Sequence, residues 1–166
     1  MQLNTLRHWV KDYLYAIHKQ SLAFLFLKPP VHYLGYVKEG KVPVILIPGV
    51  FEKWHFFKAI VDPISRTGHP IYVLEHLGYN RKEIPHAAQL VRELIEEKKL
   101  KGVVIIAHSK GGLIGKYLLS FYNNAGAVKK LITIATPFKG SYAAKYLPLK
   151  SVKEFLPESK IINSST

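Results

Sequence analysis

A serine stands at a predicted junction between a strand and a helix, a position that suits nucleophilic chemistry. Residues 102–107 form a short apolar run rich in β-branched side chains. After Ser109, apolar residues recur at helical spacing over residues 113–121. A serine at so sharp a turn is held in a strained conformation that exposes its hydroxyl group. The pattern therefore makes Ser109 the candidate catalytic nucleophile.

The neighbours of this serine must be small, because the strand and the helix approach each other closely at such a turn. Ala107 stands two residues before the serine, and Gly111 stands two residues after it. Both residues satisfy the requirement. The alternative interpretation is an ordinary strand-loop-helix junction whose serine has no catalytic role.

The string Ala-His-Ser-Lys-Gly-Gly at residues 107–112 resembles the nucleophile elbow of the α/β-hydrolase superfamily, in the form found in lipases and esterases. Ala107 replaces the usual first glycine. Residues 47–51, Ile-Pro-Gly-Val-Phe, end a strand where this family commonly has His-Gly. Residues 136–141, Thr-Pro-Phe-Lys-Gly-Ser, resemble the Thr-Pro-His-x-Gly-Ser loop of many lipases. The resemblance spans about residues 42–160.

This resemblance implies a carboxylic ester hydrolase that works through an acyl-enzyme on Ser109. It also implies an oxyanion hole made by the backbone N–H groups of Val50 and Lys110, in which each donor contributes about 2.7–4 kcal/mol to transition-state stabilisation. Phe51 and Phe138 are candidates for lining the acyl pocket. The expected substrate is a small-molecule or lipid ester, and neither a cofactor nor a metal is expected.

The acid and the base of a catalytic triad are missing from their usual places. In this fold an acidic residue and then a histidine follow the serine along the chain. All eight histidines lie at or before His108, and both aspartates, Asp12 and Asp62, also precede the serine. His55 and His76 are alternative bases near strand ends, although ordinary partly exposed histidines are the simpler interpretation.

His108 precedes Ser109 directly, and consecutive side chains of a strand point to opposite faces. We therefore expect His108 to pack or form a hydrogen bond beneath the elbow rather than to act as the base. Truncation is the simplest explanation for the missing triad residues. On that interpretation, the chain is the N-terminal part of a lipase-like α/β hydrolase.

Alternating apolar segments predict the elements that must position the serine. Strands are expected at residues 32–37, 42–47, 71–77, 102–107 and 130–135. Helical stripes lie between them, and Pro63 is expected to break or kink the helix that begins near Trp54. Repeated strand-helix-strand crossovers require an α/β fold, with a mostly parallel sheet and helices on both faces. The first strand could pair antiparallel at the sheet edge.

The N-terminal segment differs from the rest of the chain. Its apolar residues share one helical face: Leu3, Leu6, Val10, Tyr13, Leu14 and Ile17. We therefore predict an amphipathic helix at residues 1–30, followed by a hydrolase domain at residues 31–166. The apolar stretch at residues 22–27 is far shorter than the ~20 residues of a transmembrane helix, and no signal peptide is recognised. A cytoplasmic location is expected, with peripheral membrane contact as an alternative.

Composition excludes several classes of protein. A chain of 166 residues with 48% hydrophobic content can bury one core. The absence of cysteine removes disulfides, thiolate metal sites and a cysteine nucleophile. The formal charge of +13 favours anionic surfaces such as phospholipid headgroups, and a solvated lysine-rich surface is the simpler explanation. Nucleic acid is not an expected partner, because no recognition helix or stacking motif accompanies the lysines.

Three other functions fit the same pattern. A thioesterase or an acyltransferase would use the same elbow and oxyanion loop, and activity on thioesters or on other acyl acceptors would distinguish it. A binding module without catalytic activity would keep the fold and lack the base.

Overall fold

Parallel strands form the centre of this α/β fold, as the computed structural model shows. The structure describes residues 28–123, 126–141, 150–159 and 162. The amphipathic helix predicted before residue 28 therefore lies outside the described residues. Within them the strands are β1 (Val44–Ile47), β2 (Ile71–Val73), β3 (Val103–His108) and β4 (Val128–Ile134). Their order in the sheet is β2-β1-β3-β4, and all three pairings are parallel.

Helices connect these strands and cover them. The α-helices of the described residues are α1 (His32–Gly35), α2 (Lys58–Arg66), α3 (Ile84–Glu97), α4 (Lys110–Phe121) and α5 (Lys150–Lys153). Short 3₁₀ helices occupy Trp54–Phe57 and Glu75–Leu77.

The sheet separates two apolar cores, because successive side chains of a strand alternate between its faces. Ile45, Ile47 and Ala107 belong to one core, which includes residues of α3 and α4. Leu46 and Ile106 belong to the other core, on the side of α1, α2 and the first 3₁₀ helix. Every residue of β1 is buried for this reason. The predicted parallel sheet with helices on both faces is confirmed.

The strand predicted at residues 32–37 is wrong, because the chain forms α1 there. Tyr33 N–H donates to the Pro30 carbonyl oxygen at 3.0 Å, and Gly35 N–H donates to the Val31 carbonyl oxygen at 2.9 Å. Pro30 lies before the N-cap residue Val31, so its missing N–H removes no hydrogen bond from the helix. The expected antiparallel edge pairing of this segment is therefore also wrong.

Two other predicted elements differ in extent. The strand predicted at residues 71–77 ends at Val73, and its apolar residues Leu74 and Leu77 are buried by a turn into the second 3₁₀ helix. Pro63 does not end α2, which continues to Arg66. Tertiary packing of this helix outweighs the single hydrogen bond that proline removes.

A partly buried hydrogen bond between Tyr33 and Asp62 helps to join α1 to α2. Tyr33 is 1% exposed, and its hydroxyl donates to the Asp62 carboxylate at 2.8 Å. The Lys58 ammonium group donates to the same carboxylate. Burial acts to raise the pKa of Asp62, but hydrogen bonds from Lys58 and Tyr33 outweigh it and lower that pKa. The ionised carboxylate therefore stabilises the fold above its usual pKa, and this contribution is lost as the pH falls through the folded-state pKa.

We expect Tyr33→Phe to lower the free energy of unfolding by about 1.5–3 kcal/mol at pH 7, the usual range for a hydrogen bond to a charged group. The loss should shrink at a pH where Asp62 is protonated. Urea unfolding at pH 7 and at a series of lower pH values, carried down through the titration of Asp62, measures both effects. Tyr36→Phe is the control, since Tyr36 is 50% exposed. Equal losses for the two variants would contradict the importance of this contact.

Candidate functional site

Ser109 lies between β3 and α4, at the turn that the sequence predicts. Its backbone has φ 49° and ψ −119°, a left-handed conformation that non-glycine residues rarely adopt. Ser109 N–H donates to the carbonyl oxygen of Ile134 in the neighbouring strand at 2.9 Å. The structure therefore holds the serine in a strained position at the carboxyl edge of the sheet.

Small residues on both sides of the serine allow this turn. Ala107 is fully buried between its partners Ile47 in β1 and Thr133 in β4. A Cβ atom at Gly111 would lie 2.0 Å from the carbonyl oxygen of Ile47 and 3.0 Å from that of Pro48. These contacts are with backbone, which cannot move aside. The first turn of α4 thus packs directly against the end of β1.

The loop after β4 also contacts α4. A Cβ atom at Gly112 would lie 2.0 Å from the hydroxyl oxygen of Thr136, the first residue of the predicted Thr-Pro-Phe-Lys-Gly-Ser loop. Phe138 in this loop is 40% exposed. The ammonium nitrogen of Lys116 lies 5.7 Å from the centre of the Phe138 ring. The loop therefore places an accessible aromatic ring beside the elbow helix.

The loop after β1 closes into a tight turn at residues 49–52. Gly49 N–H donates to the Glu52 carboxylate at 2.7 Å, and Glu52 N–H donates to the Gly49 carbonyl oxygen at 3.3 Å. Phe51 has φ 62° and is 38% exposed, and its N–H donates to the Tyr79 carbonyl oxygen at 2.7 Å. The turn therefore fixes the backbone on both sides of Val50.

The two N–H groups predicted as oxyanion donors are unpaired within the part of the chain that the structure describes. Among the described residues, no acceptor binds the N–H of Val50 or that of Lys110. Lys110 begins α4, and the first N–H groups of a helix have no partner within it. The helix dipole also places partial positive charge at this end. An external anionic oxygen atom would therefore be stabilised here.

The side chain of Lys110 is fully buried, which sequence reasoning missed. Its ammonium group donates to the carbonyl oxygen of Asn80 at 3.2 Å and to that of Lys82. Burial lowers the pKa of Lys110 to about 8, although the nearby charges of Glu154 and Glu83 oppose the shift. The residue after the serine is thus tied to the loop after β2.

The side chain of His108 packs beneath the elbow, as predicted. Its Nδ1 atom lies 2.8 Å from Oε2 of Glu52, and since a carboxylate only accepts, Nδ1 carries the proton. The ring stacks on Phe56 with centres 6.4 Å apart. The hydrogen bond to Glu52 raises the pKa of His108, while burial opposes the shift. His108 is therefore a partner of Glu52.

The two histidines considered as alternative bases lie in different settings. His55 is in the first 3₁₀ helix and is 3% exposed, so the expectation of a partly exposed histidine is wrong there. It is covered because its ring contacts those of Trp54 and Phe56. His76 lies exposed in the second 3₁₀ helix.

Asn80 and Glu52 were not identified from the sequence. Asn80 is fully buried with φ 49°, and its side-chain amide donates to the Pro48 carbonyl oxygen at 2.6 Å. The Gly-Tyr-Asn string at residues 78–80 offered a signal, because asparagine tolerates a left-handed backbone. Nothing in the sequence marks Glu52.

The described ranges offer neither a metal-binding cluster nor a membrane-spanning helix. They contain no group of three or more histidine, aspartate or glutamate residues arranged to hold a metal ion. None of their helices has the length and apolar character needed to cross a membrane.

Comparison with known proteins gives both a family and relatives. A family model described as alpha/beta hydrolase fold matches residues 42–158. Lysosomal thioesterase PPT2 of Mus musculus is 33% identical over 107 residues, which cover 60% of this chain and 35% of that protein. "Putative esterase/lipase 3" of Mycoplasma pneumoniae is 35% identical over 118 residues, which cover 68% of this chain and 43% of that protein. The chain thus matches less than half the length of these relatives.

A solved structure shares the fold. The mature lipase BlEst2 of Bacillus licheniformis superposes with a TM-score of 0.61 over 79% of this chain and 60% of the lipase, at 16% identity. The likeness concerns the fold alone. The resemblance found at residues 107–112 and its flanking segments is confirmed at the level of the family.

Added bulk at the elbow provides a test of this geometry. We expect Gly111→Ala to lower the free energy of unfolding by about 1–3 kcal/mol, because the added methyl group meets the Ile47 carbonyl. Ala107→Leu should act in the same direction. Gly35→Ala is the control, since its Cβ would make only an ordinary 3.6 Å contact with Val31. Thermal unfolding measures all three variants, and wild-type stability of Gly111→Ala would contradict the tight elbow.

Proposed function

The chain belongs to the α/β-hydrolase fold family, and from that membership we propose that it carries the nucleophile and oxyanion hole of a serine-dependent carboxylic ester hydrolase. One observation carries the proposal. Ser109 stands in a strained left-handed turn, and the backbone N–H groups of Val50 and Lys110 have no acceptor among the described residues.

The proposed reaction uses these groups in sequence. The Ser109 hydroxyl oxygen attacks the ester carbonyl carbon, and the negative charge that develops on the carbonyl oxygen is stabilised by the N–H groups of Val50 and Lys110. The alcohol then leaves, and the acyl group stays on Ser109 until water releases it as a carboxylic acid. Phe51 and Phe138 line the acyl side of the site in this proposal.

The base that receives the Ser109 proton is a separate part of the proposal. In this family a histidine follows the serine along the chain, whereas residues 110–166 contain no histidine. We therefore propose that none of the eight histidines of this chain acts as the base. An unassisted serine hydroxyl is a weak nucleophile at neutral pH.

Thioesters are the second candidate substrate class. The mouse relative is named a lysosomal thioesterase, and 33% identity to it extends over 60% of this chain. The same serine and the same N–H groups would serve a thioester, since the charge develops on the same carbonyl oxygen. Hydrolysis of matched oxygen esters and thioesters by one preparation would separate the two classes.

We expect the 166-residue chain to react slowly with a fluorophosphonate probe and to hydrolyse p-nitrophenyl butyrate barely above background. A longer protein that supplies the acid and the histidine should label at Ser109 and turn over. Ser109→Ala should abolish both activities. Ser120→Ala, an exposed serine on the same helix, should leave them unchanged. Rapid labelling of the 166-residue chain at Ser109 would contradict the proposal that this chain lacks the base. His55→Ala and His76→Ala would then be tested.

Contact with an anionic membrane surface is a separate proposal, favoured by an exposed apolar segment between lysines. Val31 is 90% exposed, Leu34 is 56% exposed and Tyr36 is 50% exposed. Lys28 and Lys38 flank these residues. Exposed apolar side chains beside lysines suit the boundary between headgroups and acyl chains.

We expect the protein to sediment with anionic vesicles at low salt and to be released as salt rises, because screening shortens electrostatic reach to ~8 Å at physiological ionic strength. Leu34→Glu should weaken sedimentation. Leu119→Glu is the control, since Leu119 is 37% exposed on α4. Equal sedimentation with neutral vesicles would contradict the electrostatic part of the proposal.

A further inference from the structure

The peptide group between Pro48 and Gly49 is held from both sides. Its carbonyl oxygen accepts from the Asn80 side-chain amide at 2.6 Å, and its N–H donates to the Glu52 carboxylate at 2.7 Å. A trans peptide is planar, with its C=O and N–H pointing in opposite directions. Asn80 and Glu52 therefore form hydrogen bonds to opposite sides of this peptide group and fix the orientation of its plane.

The next peptide group is fixed by the same turn. The carbonyl oxygen of Gly49 accepts from Glu52 N–H at 3.3 Å. Because the C=O and N–H of this peptide are also opposed, the Val50 N–H points away from the turn. The direction of the proposed oxyanion donor is thus set by contacts to the residues on either side of it.

Glu52 and Asn80 each form a hydrogen bond with a residue next to the proposed nucleophile. His108 donates from Nδ1 to the Glu52 carboxylate at 2.8 Å. On the other side, the ammonium group of Lys110 donates to the backbone carbonyl of Asn80 at 3.2 Å. His108 and Lys110 stand immediately before and after Ser109. The two side chains that flank the serine therefore reach opposite sides of the loop that carries Val50.

We propose that Glu52 and Asn80 are positioning residues that hold the Val50 N–H at a fixed place relative to Ser109, anchored by His108 and Lys110. The inference rests on the proposed function, because it assigns these residues to the oxyanion hole. In the free protein, the side chains of His108 and Lys110 are therefore coupled to the loop that carries Val50.

The burial of these groups supports a positioning role. Asn80 and Lys110 are both fully buried, and the side chain of Glu52 is 13% exposed. Buried polar groups are unfavourable unless their hydrogen bonds are formed. Movement of the loop would break several of these bonds together, so the arrangement resists displacement of the Val50 N–H.

Turnover provides the first measurement, made on a protein that joins this chain to a triad acid and histidine. We expect Glu52→Gln and Asn80→Gly to lower kcat for p-nitrophenyl butyrate by about 10–100-fold, less than the loss of an entire oxyanion donor. KM should stay within about twofold, because the donor acts mainly in the transition state. Glycine at position 80 retains the left-handed backbone that asparagine adopts there.

Matched controls separate positioning from general loss of structure. Asp62→Asn changes a carboxylate that also accepts two side-chain hydrogen bonds, on α2. Asn123→Gly removes an asparagine that bonds to the Val128 backbone, after α4. Both controls should leave kcat and KM within about twofold of wild type when thermal unfolding shows folded protein. A kcat within twofold of wild type for Glu52→Gln or Asn80→Gly would overturn the proposal.

A measurement without turnover distinguishes failure of this inference from failure of the proposed function. In ¹H–¹⁵N spectra recorded against pH, the Gly49 amide should follow the titration of His108, because both groups bond to Glu52. This response should vanish in His108→Gln and persist in Asp62→Asn. If turnover does not depend on Ser109, the proposed function fails and the Gly49 response alone decides the coupling. A Gly49 amide chemical shift that does not change as His108 titrates would overturn the proposed coupling.

Discussion

The site depends on one close contact, between the backbone of Gly111 and the carbonyl oxygen of Ile47. A Cβ atom at Gly111 would lie 2.0 Å from that oxygen, so only glycine allows α4 to approach β1 so closely. The approach forces the chain to turn sharply at Ser109, which takes a left-handed backbone. It also brings the N-terminus of α4 beside the loop that carries Val50. The strained serine and the adjacent N–H groups therefore have the same structural cause.

Local patterns predicted the part of the fold that local interactions determine. The buried run before Ser109 and the apolar spacing after it indicated β3 and α4, because strand and helix periodicities differ over short distances. The predicted strand at residues 32–37 failed since Tyr33 is buried by contact with Trp54 and α2 rather than by sheet pairing. Burial of this kind depends on distant residues, which the periodicity of a short segment does not reveal.

The coupled side chains around the elbow were beyond sequence reasoning for a related reason. Glu52 and His108 are separated by 56 residues, and Asn80 lies 32 residues from Pro48. No spacing rule links positions so far apart. The burial of Lys110 could not be predicted either, because a lysine on a helix normally reaches solvent. It is buried here since backbone carbonyls of the loop after β2 accept from its ammonium group. Only the fold brings these partners together.

The buried Lys110 has two opposite effects as the pH rises. The free energy of unfolding increases, while the positive charge beside Ser109 is lost. Burial lowers the folded-state pKa of Lys110 to about 8 from its usual 10.5. Between these values the unfolded chain binds more protons than the folded protein, so this group makes stability rise with pH. Over the same range the folded protein loses the positive charge from Lys110, and the hydrogen bond to Asn80 loses its charged donor. Below pH 8 the buried ammonium group therefore stays charged at a cost to the free energy of unfolding, which its hydrogen bonds to the carbonyl oxygens of Asn80 and Lys82 partly offset.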